Sequence, residues 1–369
     1  MSKPLPDVGY QQYPNKLNTW MGFGIKPISY TEEAIEPIIE HLHGSLCKGN
    51  ENYFQYLIQW MAYGFQYPEK QIGVAVVLRG LKGTGKGVIG SLLLGMYGQH
   101  SVHLSNSHHL TGNFNGHLEN TCYVFADEAV FHGDNAGNQR LKALVTENKF
   151  TVERKGFDAI QAPNRLNILM ASNSDWVIPS SRDERRWFVL DLLDKKLSNK
   201  YYEDLHHAAA DKNVQAQFLD YLLKMDLSKF KVRQYPETEG NKNQKLHSLS
   251  VIPRFLLDAC ERGYIAEAKF ALENSDEWHD KVTANLIMEG INEWGKNNFK
   301  SNYDRPTKKQ LTDYLNGLGL KTNTHRDLGC YKNGSPFTRE RARGYFIGIA
   351  SELEQRIINH EGIPSNENQ

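Results

Sequence analysis

The sequence is poor in cysteine, carries no net charge and contains no long apolar run. Its four cysteines lie far apart and form no C-x-x-C pair, which argues against a structural zinc and for a reducing compartment. Forty-three lysines and arginines balance forty-three aspartates and glutamates, so any nucleic-acid surface must come from local clusters of charge. No apolar run approaches the ~20 residues that span a bilayer, and the first residues lack the core of a signal peptide. The sequence therefore predicts a cytoplasmic protein without a membrane partner, and its 369 residues predict two or three domains.

Glycine is concentrated in one stretch, a loop between a predicted strand and a predicted helix. The strand is the valine-rich run before Gly80, and the helix places Val88, Ile89 and Leu92 at helical spacing. The loop fits the pattern G-x-x-x-x-G-K, in which glycines let backbone N–H groups surround a phosphate and the following helix adds its positive dipole end. The sequence therefore predicts a phosphate-binding loop, with a glycine-rich turn that binds no ligand as the alternative. The candidate nucleotide contacts are Gly80, Lys82, Gly83, Thr84, Gly85, Lys86, Gly87 and Val88.

The predicted ligand of this loop is ATP with Mg²⁺, and Lys86 supplies the full positive charge. The loop departs from the usual pattern because Gly87 stands where Ser or Thr usually holds the metal. Either Thr84, water or acidic residues further along the chain carry the Mg²⁺, or the metal binds more weakly than usual.

Adjacent carboxylates follow a second apolar strand, predicted over 122–126. Buried strands of such sheets deliver the residues at their carboxyl ends to the ligand crevice, which places Asp127 and Glu128 beside the phosphates. Asp127 is predicted to hold Mg²⁺ directly or through water, and Glu128 to polarise the attacking water. By itself an apolar run ending in Asp-Glu is usually only a strand end, and its position after the phosphate loop favours the catalytic interpretation.

Further polar residues follow the strand predicted over 166–171. Asn173 is predicted to orient the attacking water between the carboxylates and the terminal phosphate, with a plain turn residue as the alternative. The guanidinium groups of Arg182, Arg185 and Arg186 come shortly afterwards. We expect one of them to form a structural ion pair with Asp183 or Glu184, and another to reach a neighbouring subunit as an arginine finger.

Residues 149–160 predict a β-hairpin whose turn offers a cation and an aromatic ring. Lys155 is placed to meet a phosphate of single-stranded nucleic acid, with Arg154 beside it, and Phe157 to stack against a sugar or base. The alternative is an ordinary charged hairpin end.

The region 281–350 is basic in an otherwise neutral chain, with twelve Lys and Arg against six Asp and Glu. Predicted helices over 284–299 and 306–318 precede predicted strands over 321–326 and 343–349. Helix, helix and basic hairpin is the order of a winged helix-turn-helix, so Lys308 and Lys309, flanked by Thr307 and Gln310, are predicted to face a nucleic acid. Such modules also serve as protein contacts, which is the alternative.

With these residues in view, the chain resembles the superfamily 3 helicases, specifically the helicase portion of phage and mobile-element primase-helicase proteins. The motifs that carry the resemblance are LNTWMGF, YLIQWMAYGFQYP, the GKG form of the loop, LTGNFN before the Asp-Glu pair, ASN and DERRWF. The resemblance implies an AAA-like α/β domain that forms a hexameric ring, with ATP between subunits. It also implies that the hairpin near Lys155 projects into a central channel and that the ring travels 3′-to-5′ on single-stranded DNA.

The fold expected from the residues and the resemblance together is α/β, a P-loop AAA-like ATPase core with an N-terminal helical layer and a C-terminal helical plus winged-helix region. The predicted N-terminal parts are an extended arm at 1–30, in which Trp20, Met21 and Phe23 dock on a neighbouring domain, and a helical layer at 31–67, whose main helix starts near Glu36. The ATPase domain is predicted at 68–195 and is followed by a helical region and linker at 196–280, with the linker itself at 235–248. The predicted C-terminal parts are the winged-helix-like domain at 281–352 and a tail at 353–369.

The function expected from these features is an ATP-dependent DNA helicase and ATP hydrolase that unwinds DNA during replication of a phage or mobile element in a bacterial host cell. Its expected partners are single-stranded and forked DNA, and its expected assembly is a homo-hexamer. Relatives often carry an N-terminal primase-polymerase domain for which this chain has no room, so we expect a standalone helicase or a shortened protein with a primase-polymerase as partner. The runner-up is an ATP-clamped replication initiator or loader that binds DNA through the winged-helix region. A small-molecule kinase is a distant third, because it gives the hairpin and the arginine cluster no role.

Overall fold

The computed structural model describes residues 18–128, 135–181, 184–192, 197–265, 278, 280–298, 305–325, 331–332, 335–336 and 342–363. They form a mixed α/β structure divided into two compact units. The first unit comprises the described residues up to Ser180 and the segment Glu184–Gln244. The second comprises Ser181 and the described residues from Lys245 onward.

The first unit contains seven helices and seven strands among its described residues, and a further helix at its boundary. The helices are α1 (Glu32–Glu40), α2 (Glu51–Gln66), α3 (Lys86–Tyr97), α4 (Ser107–Thr111), α5 (Asn135–Thr146), α6 (Asn199–Ala210) and α7 (Lys212–Lys224), and the boundary falls within α8 (Glu239–Ser248). The strands are β1 (Ala75–Arg79), β2 (Ser101–Leu104), β3 (Tyr123–Ala126), β4 (Lys149–Val152), β5 (Ile160–Pro163), β6 (Asn167–Ser172) and β7 (Trp187–Asp191).

A five-stranded sheet in the order β2-β3-β6-β1-β7 organises this unit, and every neighbouring pair is parallel. Both faces of the sheet are covered. Along β1, Val76 and Leu78 belong to the core on the face of α1, α2 and α3, whereas Ala75 and Val77 belong to the core on the opposite face. This two-sided burial explains why the sequence of β1 reads as a continuous apolar run rather than an alternating one.

The order of the strands decides which residues meet. The chain leaves β1 for β2 on one side of it and later crosses back to β7 on the other side, so β1 lies at the point where the strand order reverses. In such sheets the crevice outside the carboxyl ends at this point is the place where ligands bind. The loops after β1, β3 and β6, which carry the predicted phosphate, carboxylate and amide groups, all lie at this edge.

The described part of the N-terminal arm packs onto this same unit rather than onto a neighbouring domain. Trp20 is fully buried and stacks on His100 with ring centroids 4.3 Å apart, and Phe23 packs edge-on against Phe65 and Tyr97. Met21 is exposed, so the expectation that it docks is not met.

The predicted helical layer consists of α1, a π-helical turn over His41–Leu46, and α2. Its first helix begins at Glu32 rather than near Glu36, because the Thr31 side chain accepts a hydrogen bond from the N–H of Ala34 and caps the earlier turn. Pro37 lies inside α1, where it removes one backbone hydrogen bond without ending the helix.

The prediction of a linker over the polar run 235–248 is wrong for most of that run, because Glu239–Ser248 forms the helix α8. This helix covers the outer edge of β7. The Asn241 side chain donates from Nδ2 to the Trp187 carbonyl at 2.7 Å and accepts at Oδ1 from the N–H of Val189 at 3.1 Å. A methyl group at Gly240 would lie 2.6 Å from the Val189 carbonyl oxygen, so glycine permits this close approach. The polar residues of α8 therefore satisfy a strand edge that would otherwise be unpaired.

The second unit has its own core. Its helices are α9 (Val251–Arg262), α10 (Ala284–Asn298), α11 (Lys308–Gly317) and α12 (Ala350–Glu361), and its strands are β8 (Lys281–Val282), β9 (Thr322–His325), β10 (Tyr331–Lys332), β11 (Ser335–Pro336) and β12 (Ala342–Phe346). The helices predicted over 284–299 and 306–318 are confirmed, and β9 pairs with β12 in an antiparallel sheet of order β8-β12-β9.

The prediction of a tail over 353–369 is wrong for the residues up to Glu361. These residues belong to α12, which buries Leu353 and Ile357 in the core of the second unit. Residues 364–369 lie outside the described part of the chain. Within the described residues, no helix is both long and apolar enough to cross a membrane.

Candidate functional site

A cavity of about 750 Å³ opens at the carboxyl edge of the parallel sheet. It brings together ten residues predicted from three separate stretches of the sequence. They are Lys82, Gly83, Thr84, Gly85, Lys86, Gly87, Val88, Asp127, Glu128 and Asn173. Gly80 belongs to the same loop without lining the cavity, and the described residues Arg185 and Arg186 do not line it either. Arg182 lies outside the described residues.

The loop between β1 and α3 holds its lysine against its own backbone. Lys86 Nζ donates to the carbonyl oxygens of Gly80 and Leu81, each at 2.7 Å, and the Thr84 hydroxyl donates to the Leu81 oxygen at 2.9 Å. Burial lowers the pKa of Lys86, and the negative charge of Asp127 acts in the opposite direction. The ammonium group is thus held at the start of α3, where the helix also presents its free N–H groups.

A buried histidine from the helical layer supports this loop from behind. His41 is fully buried, its Nδ1 lies 3.0 Å from the Tyr201 hydroxyl on α6, and its ring packs against Gly85. Burial lowers the pKa of His41 to about 4, so the ring is neutral near pH 7. Gly85 has φ +86°, in the left-handed region that favours glycine, and a methyl group at this position would lie 2.4 Å from His41 Cε1. The loop conformation therefore depends on both Gly85 and His41.

The carboxylates after β3 are held in an unusual backbone conformation. Glu128 has φ +52°, which is uncommon for a residue other than glycine, and its N–H donates to Asp127 Oδ1 at 3.0 Å. Strain of this kind persists where the surrounding structure imposes it and is concentrated at functional sites. His103 Nε2 at the end of β2 lies 4.0 Å from Asp127 Oδ2, and the imidazole stacks on Phe125.

Within the described residues no three His, Cys, Asp or Glu side chains form a metal-binding group. Mg²⁺ commonly binds through one or two carboxylates together with substrate phosphates and water, and Asp127 and Glu128 beside the phosphate loop are the donors that this arrangement requires.

One arginine of the cluster before β7 has a structural role. The buried carboxylate of Glu184 accepts at Oε1 from Arg186 NH1 at 3.0 Å, and its Oε2 lies 3.6 Å from Lys142 Nζ. Arg186 is therefore the arginine that forms the expected structural ion pair. Arg185 is exposed, and no ion pair of its guanidinium is found within the described part of the chain.

The predicted hairpin is present as β4 and β5, which pair in antiparallel register. Phe157 is 74% exposed and Lys155 is also exposed, whereas Arg154 forms an ion pair with Glu119. The hairpin is tied to the preceding loop, because Asn115 Nδ2 donates to the Thr151 oxygen at 2.8 Å and its Oδ1 accepts from the N–H of Glu153 at 2.8 Å.

The basic residues predicted in the second unit lie at the start of α11. Thr307 and Gln310 form a capping box, so their side chains are engaged with the helix terminus. Lys308 Nζ donates to Asn285 Oδ1 at 2.8 Å, and both Lys308 and Lys309 are exposed.

Several cavity residues were missed because nothing local in the sequence marks them. They are His103 at the end of β2, and Tyr202, His206, Lys212 and Gln215 from α6 and α7. His103 lies on the four-residue strand β2, whose sequence Ser-Val-His-Leu is not an apolar run, and the residues of α6 and α7 lie more than a hundred positions from the phosphate loop. Phe114, 66% exposed in the loop tied to the hairpin, is a second exposed ring that the sequence analysis did not single out.

A first comparison concerns the class of protein. Residues 78–186, which include the phosphate loop, the carboxylates and the hairpin, match the model of a family described as a family of unknown function, DUF5906.

A second comparison concerns particular relatives. The chain is 24% identical over 244 residues to a protein named DNA Primase-polymerase from Nitratiruptor phage NrS-1, covering 62% of this chain and 33% of that protein. It therefore spans about a third of the length of this relative. A solved structure titled the apo structure of NrS-1 C terminal region (305-718) matches with TM-score 0.62 and 18% identity over 88% of this chain and 77% of that chain. A second, titled the A form apo structure of the same region, matches with TM-score 0.61 and 17% identity over 94% and 84%. The two structures show a shared fold.

These comparisons correct the functional prediction. Similarity to a phage primase-type replication protein is confirmed, but the relative is named a DNA primase-polymerase, and no superfamily 3 helicase supports the finer resemblance. The predictions of an ATP-dependent helicase and ATP hydrolase, and of an ATP-clamped initiator or loader, are therefore wrong. The motifs misled because a phosphate loop followed by carboxylates records polyphosphate binding and does not specify which reaction the bound nucleotide enters.

Proposed function

We propose that this chain is the nucleotide- and DNA-binding region of a primase-polymerase-type replication protein, acting in the cytoplasm of a phage-infected host cell. The name of the curated relative supports the class of reaction, which is the synthesis of DNA strands. The observation that carries the proposal is the convergence of the phosphate loop, Asp127 and Asn173 on one cavity.

The proposed ligand is a nucleoside triphosphate, of which ATP is one. Backbone N–H groups of Gly83 to Gly87 and the start of α3 surround the phosphates, and Lys86 exchanges its contacts with the loop carbonyls for a phosphate oxygen. Asp127, with Glu128 beside it, would hold Mg²⁺, which neutralises phosphate charge when bound. Thr84 is a weaker metal candidate, because its hydroxyl is buried and donates to the Leu81 carbonyl. Asn173 follows β6, the strand between β3 and β1, and supplies an uncharged hydrogen-bonding group between the carboxylates and the glycine loop.

The finer assignments of fold and assembly belong to this proposal. The all-parallel order β2-β3-β6-β1-β7 with a glycine loop after β1 supports a P-loop core of the AAA type, and the succession α10, α11, β9, β12 supports a winged helix. The homo-hexamer stays a prediction. Arg185 is the described cation best suited to contact a nucleotide held by a neighbouring protomer, because Arg186 is committed to Glu184.

Replacing the loop lysine tests the nucleotide site. We expect Lys86→Ala to weaken binding of Mg²⁺-ATP about tenfold to a hundredfold, since a hydrogen bond to a charged group contributes roughly 1.5–3 kcal/mol. Isothermal titration calorimetry of the whole chain measures the dissociation constant. Lys26→Ala is the control, because Lys26 is exposed and does not line the cavity. Equal affinities for wild type and Lys86→Ala would contradict the nucleotide site.

The class of reaction is tested by strand synthesis. The whole chain is incubated with single-stranded DNA, nucleoside triphosphates and Mg²⁺, and labelled products are resolved by length. Products that depend on the protein and are lost in Lys86→Ala support the proposal. Nucleotide and DNA binding without any product would overturn the role in strand synthesis and leave a binding region.

The hairpin is the proposed contact for single-stranded DNA, with Lys308 and Lys309 as a second basic surface. Base stacking on an aromatic ring contributes roughly 1–3 kcal/mol, so we expect Phe157→Ala to weaken DNA binding about tenfold. Fluorescence anisotropy with a labelled oligonucleotide measures the affinity. Lys155→Ala should weaken binding less at high salt than at low salt, because its phosphate contact is electrostatic.

Met21→Ala is the matched control for Phe157→Ala, since Met21 is an exposed apolar residue of the first unit outside the hairpin. Unchanged DNA affinity in Phe157→Ala, with wild-type thermal stability, would exclude the hairpin tip as the contact.

A further inference from the structure

We propose that the base of the bound nucleotide lies against α6 and α7, where aromatic stacking selects purines over pyrimidines without distinguishing adenine from guanine. This inference rests on the proposed function, because it assumes that the phosphate loop holds the triphosphate.

The cavity is longer than a phosphate group requires. Along α3 its wall runs from Gly87 through Ser91 to Gly95, which at 1.5 Å per residue is about 12 Å from the phosphate loop. The far end therefore lies where the nucleoside of a triphosphate would extend, while the acidic side chains of the cavity, Asp127 and Glu128, stay at the phosphate end.

Two aromatic side chains and a small one from α6 line the cavity. Tyr202, His206 and Ala209 on α6 are spaced four and three residues apart, so they lie on one face of the helix, and all three line the cavity. Two rings followed by a small side chain provide a surface on which a flat heterocycle stacks. Stacking depends on ring area, so the larger purine ring gains more than a pyrimidine does.

The side-chain amide of Gln215, which also lines the cavity, already forms two hydrogen bonds within the protein. Gln215 on α7 is buried, its Nε2 donates to the Ala209 oxygen at 2.7 Å, and its Oε1 accepts from Lys212 Nζ at 2.9 Å. One N–H and one oxygen lone pair of the amide are therefore used inside the protein, which fixes its orientation and reduces what it can present to the edge of a base. Discrimination between adenine and guanine needs hydrogen bonds to that edge, so we expect little of it.

The stacking surface is fixed relative to the phosphate loop. Tyr201, next to Tyr202 on α6, has its hydroxyl 3.0 Å from His41 Nδ1, and the other side of the His41 ring packs against Gly85 of the loop. The same histidine thus joins the wall for the base to the loop for the phosphates, which preorganises the distance between them.

The test compares ligands that share the triphosphate and differ in the base. Titration calorimetry of the whole chain in Mg²⁺ uses ATP, GTP, CTP, UTP and inorganic tripolyphosphate. We expect ATP and GTP to bind within about threefold of each other, both about five- to tenfold more tightly than CTP and UTP, and all four more tightly than tripolyphosphate.

Two variants locate the base. His206→Ala should weaken ATP and GTP binding by about fivefold and leave tripolyphosphate unchanged, and Tyr202→Leu should do the same. His207→Ala is the control, because His207 is exposed on the same helix and does not line the cavity. His206 is exposed, so its replacement keeps the test valid if Tyr202→Leu fails to fold.

The outcomes separate this inference from the function on which it rests. ATP binding no tighter than tripolyphosphate, an unchanged ATP affinity in His206→Ala, or a tenfold preference between ATP and GTP would overturn the inference while the phosphate site stands. The proposed function itself would be overturned if no ligand bound, or if Lys86→Ala changed the affinity for none of the ligands.

Discussion

Gly85→Ala is expected to destabilise the first unit by about 3 kcal/mol or more and to remove nucleotide binding. Gly85 has φ +86°, and left-handed backbone costs other residues roughly 1–2 kcal/mol. The added methyl group would also lie 2.4 Å from His41 Cε1 and 2.5 Å from His41 Nε2, and forcing extra atoms into a packed interior costs roughly 1–3 kcal/mol. His41 is fully buried and lies close to the Tyr201 hydroxyl, so its ring has little freedom to yield. Urea denaturation measures the stability, and calorimetry with Mg²⁺-ATP measures the binding.

Gly87→Ala is the matched control for this prediction. A methyl group at Gly87 would meet no atom within 4 Å, and Gly87 lies in the first turn of α3 without a positive φ. Its replacement should leave stability unchanged or raise it by up to about 1 kcal/mol, as glycine-to-alanine changes in helices do. Adding His41→Ala to Gly85→Ala should recover the part of the loss that comes from the clash. A wild-type unfolding midpoint for Gly85→Ala would contradict the contact between His41 and the loop.

Glu184→Ala is expected to cost about 3–5 kcal/mol of unfolding free energy. The Glu184 side chain is 1% exposed and accepts at Oε1 from the backbone N–H groups of Arg185 and Arg186, each at 3.2 Å, as well as from the Arg186 guanidinium. Its Oε2 lies 3.6 Å from Lys142 Nζ. Removing the carboxylate would leave two cations and two N–H groups without this partner, and breaking a buried pair in this way is strongly destabilising.

Asp175→Ala is the control for Glu184→Ala. Asp175 also forms an ion pair with an arginine, Arg79 at 3.5 Å, but its side chain is 89% exposed. Solvent screens such a pair, so its removal should change stability by less than about 1 kcal/mol. Equal losses in the two variants, measured by urea denaturation, would show that burial of Glu184 does not carry the effect.

The agreement between sequence and structure is good where a pattern is local. The β1 run, the glycines after it and the periodicity of α3 predict strand, loop and helix within a few residues, because each depends on neighbours in sequence. The hairpin of β4 and β5 and the helices α10 and α11 follow from the same kind of signal. Reaction class was not predictable in this way, since a glycine loop with neighbouring carboxylates occurs in proteins of different chemistries.

Tertiary contacts explain the places where the sequence misled. The polar run of α8 has the composition of a linker, and it is helical because Asn241 and its neighbours satisfy the edge of β7. The sequence predicted that one arginine of the cluster pairs with Asp183 or Glu184, and the buried carboxylate of Glu184 identifies it as Arg186.

The sequence by itself determined the apolar strand β1, the glycine loop that follows it and the adjacent carboxylates after β3, because hydrophobic periodicity and glycine placement act over short distances. Only the tertiary structure decided that His41 supports Gly85 and that Tyr202 and His206 of α6 line the same cavity as the glycine loop. The physical reason is that these contacts join segments more than forty residues apart, and their geometry is set by how the helices pack on the sheet rather than by any local preference of the chain.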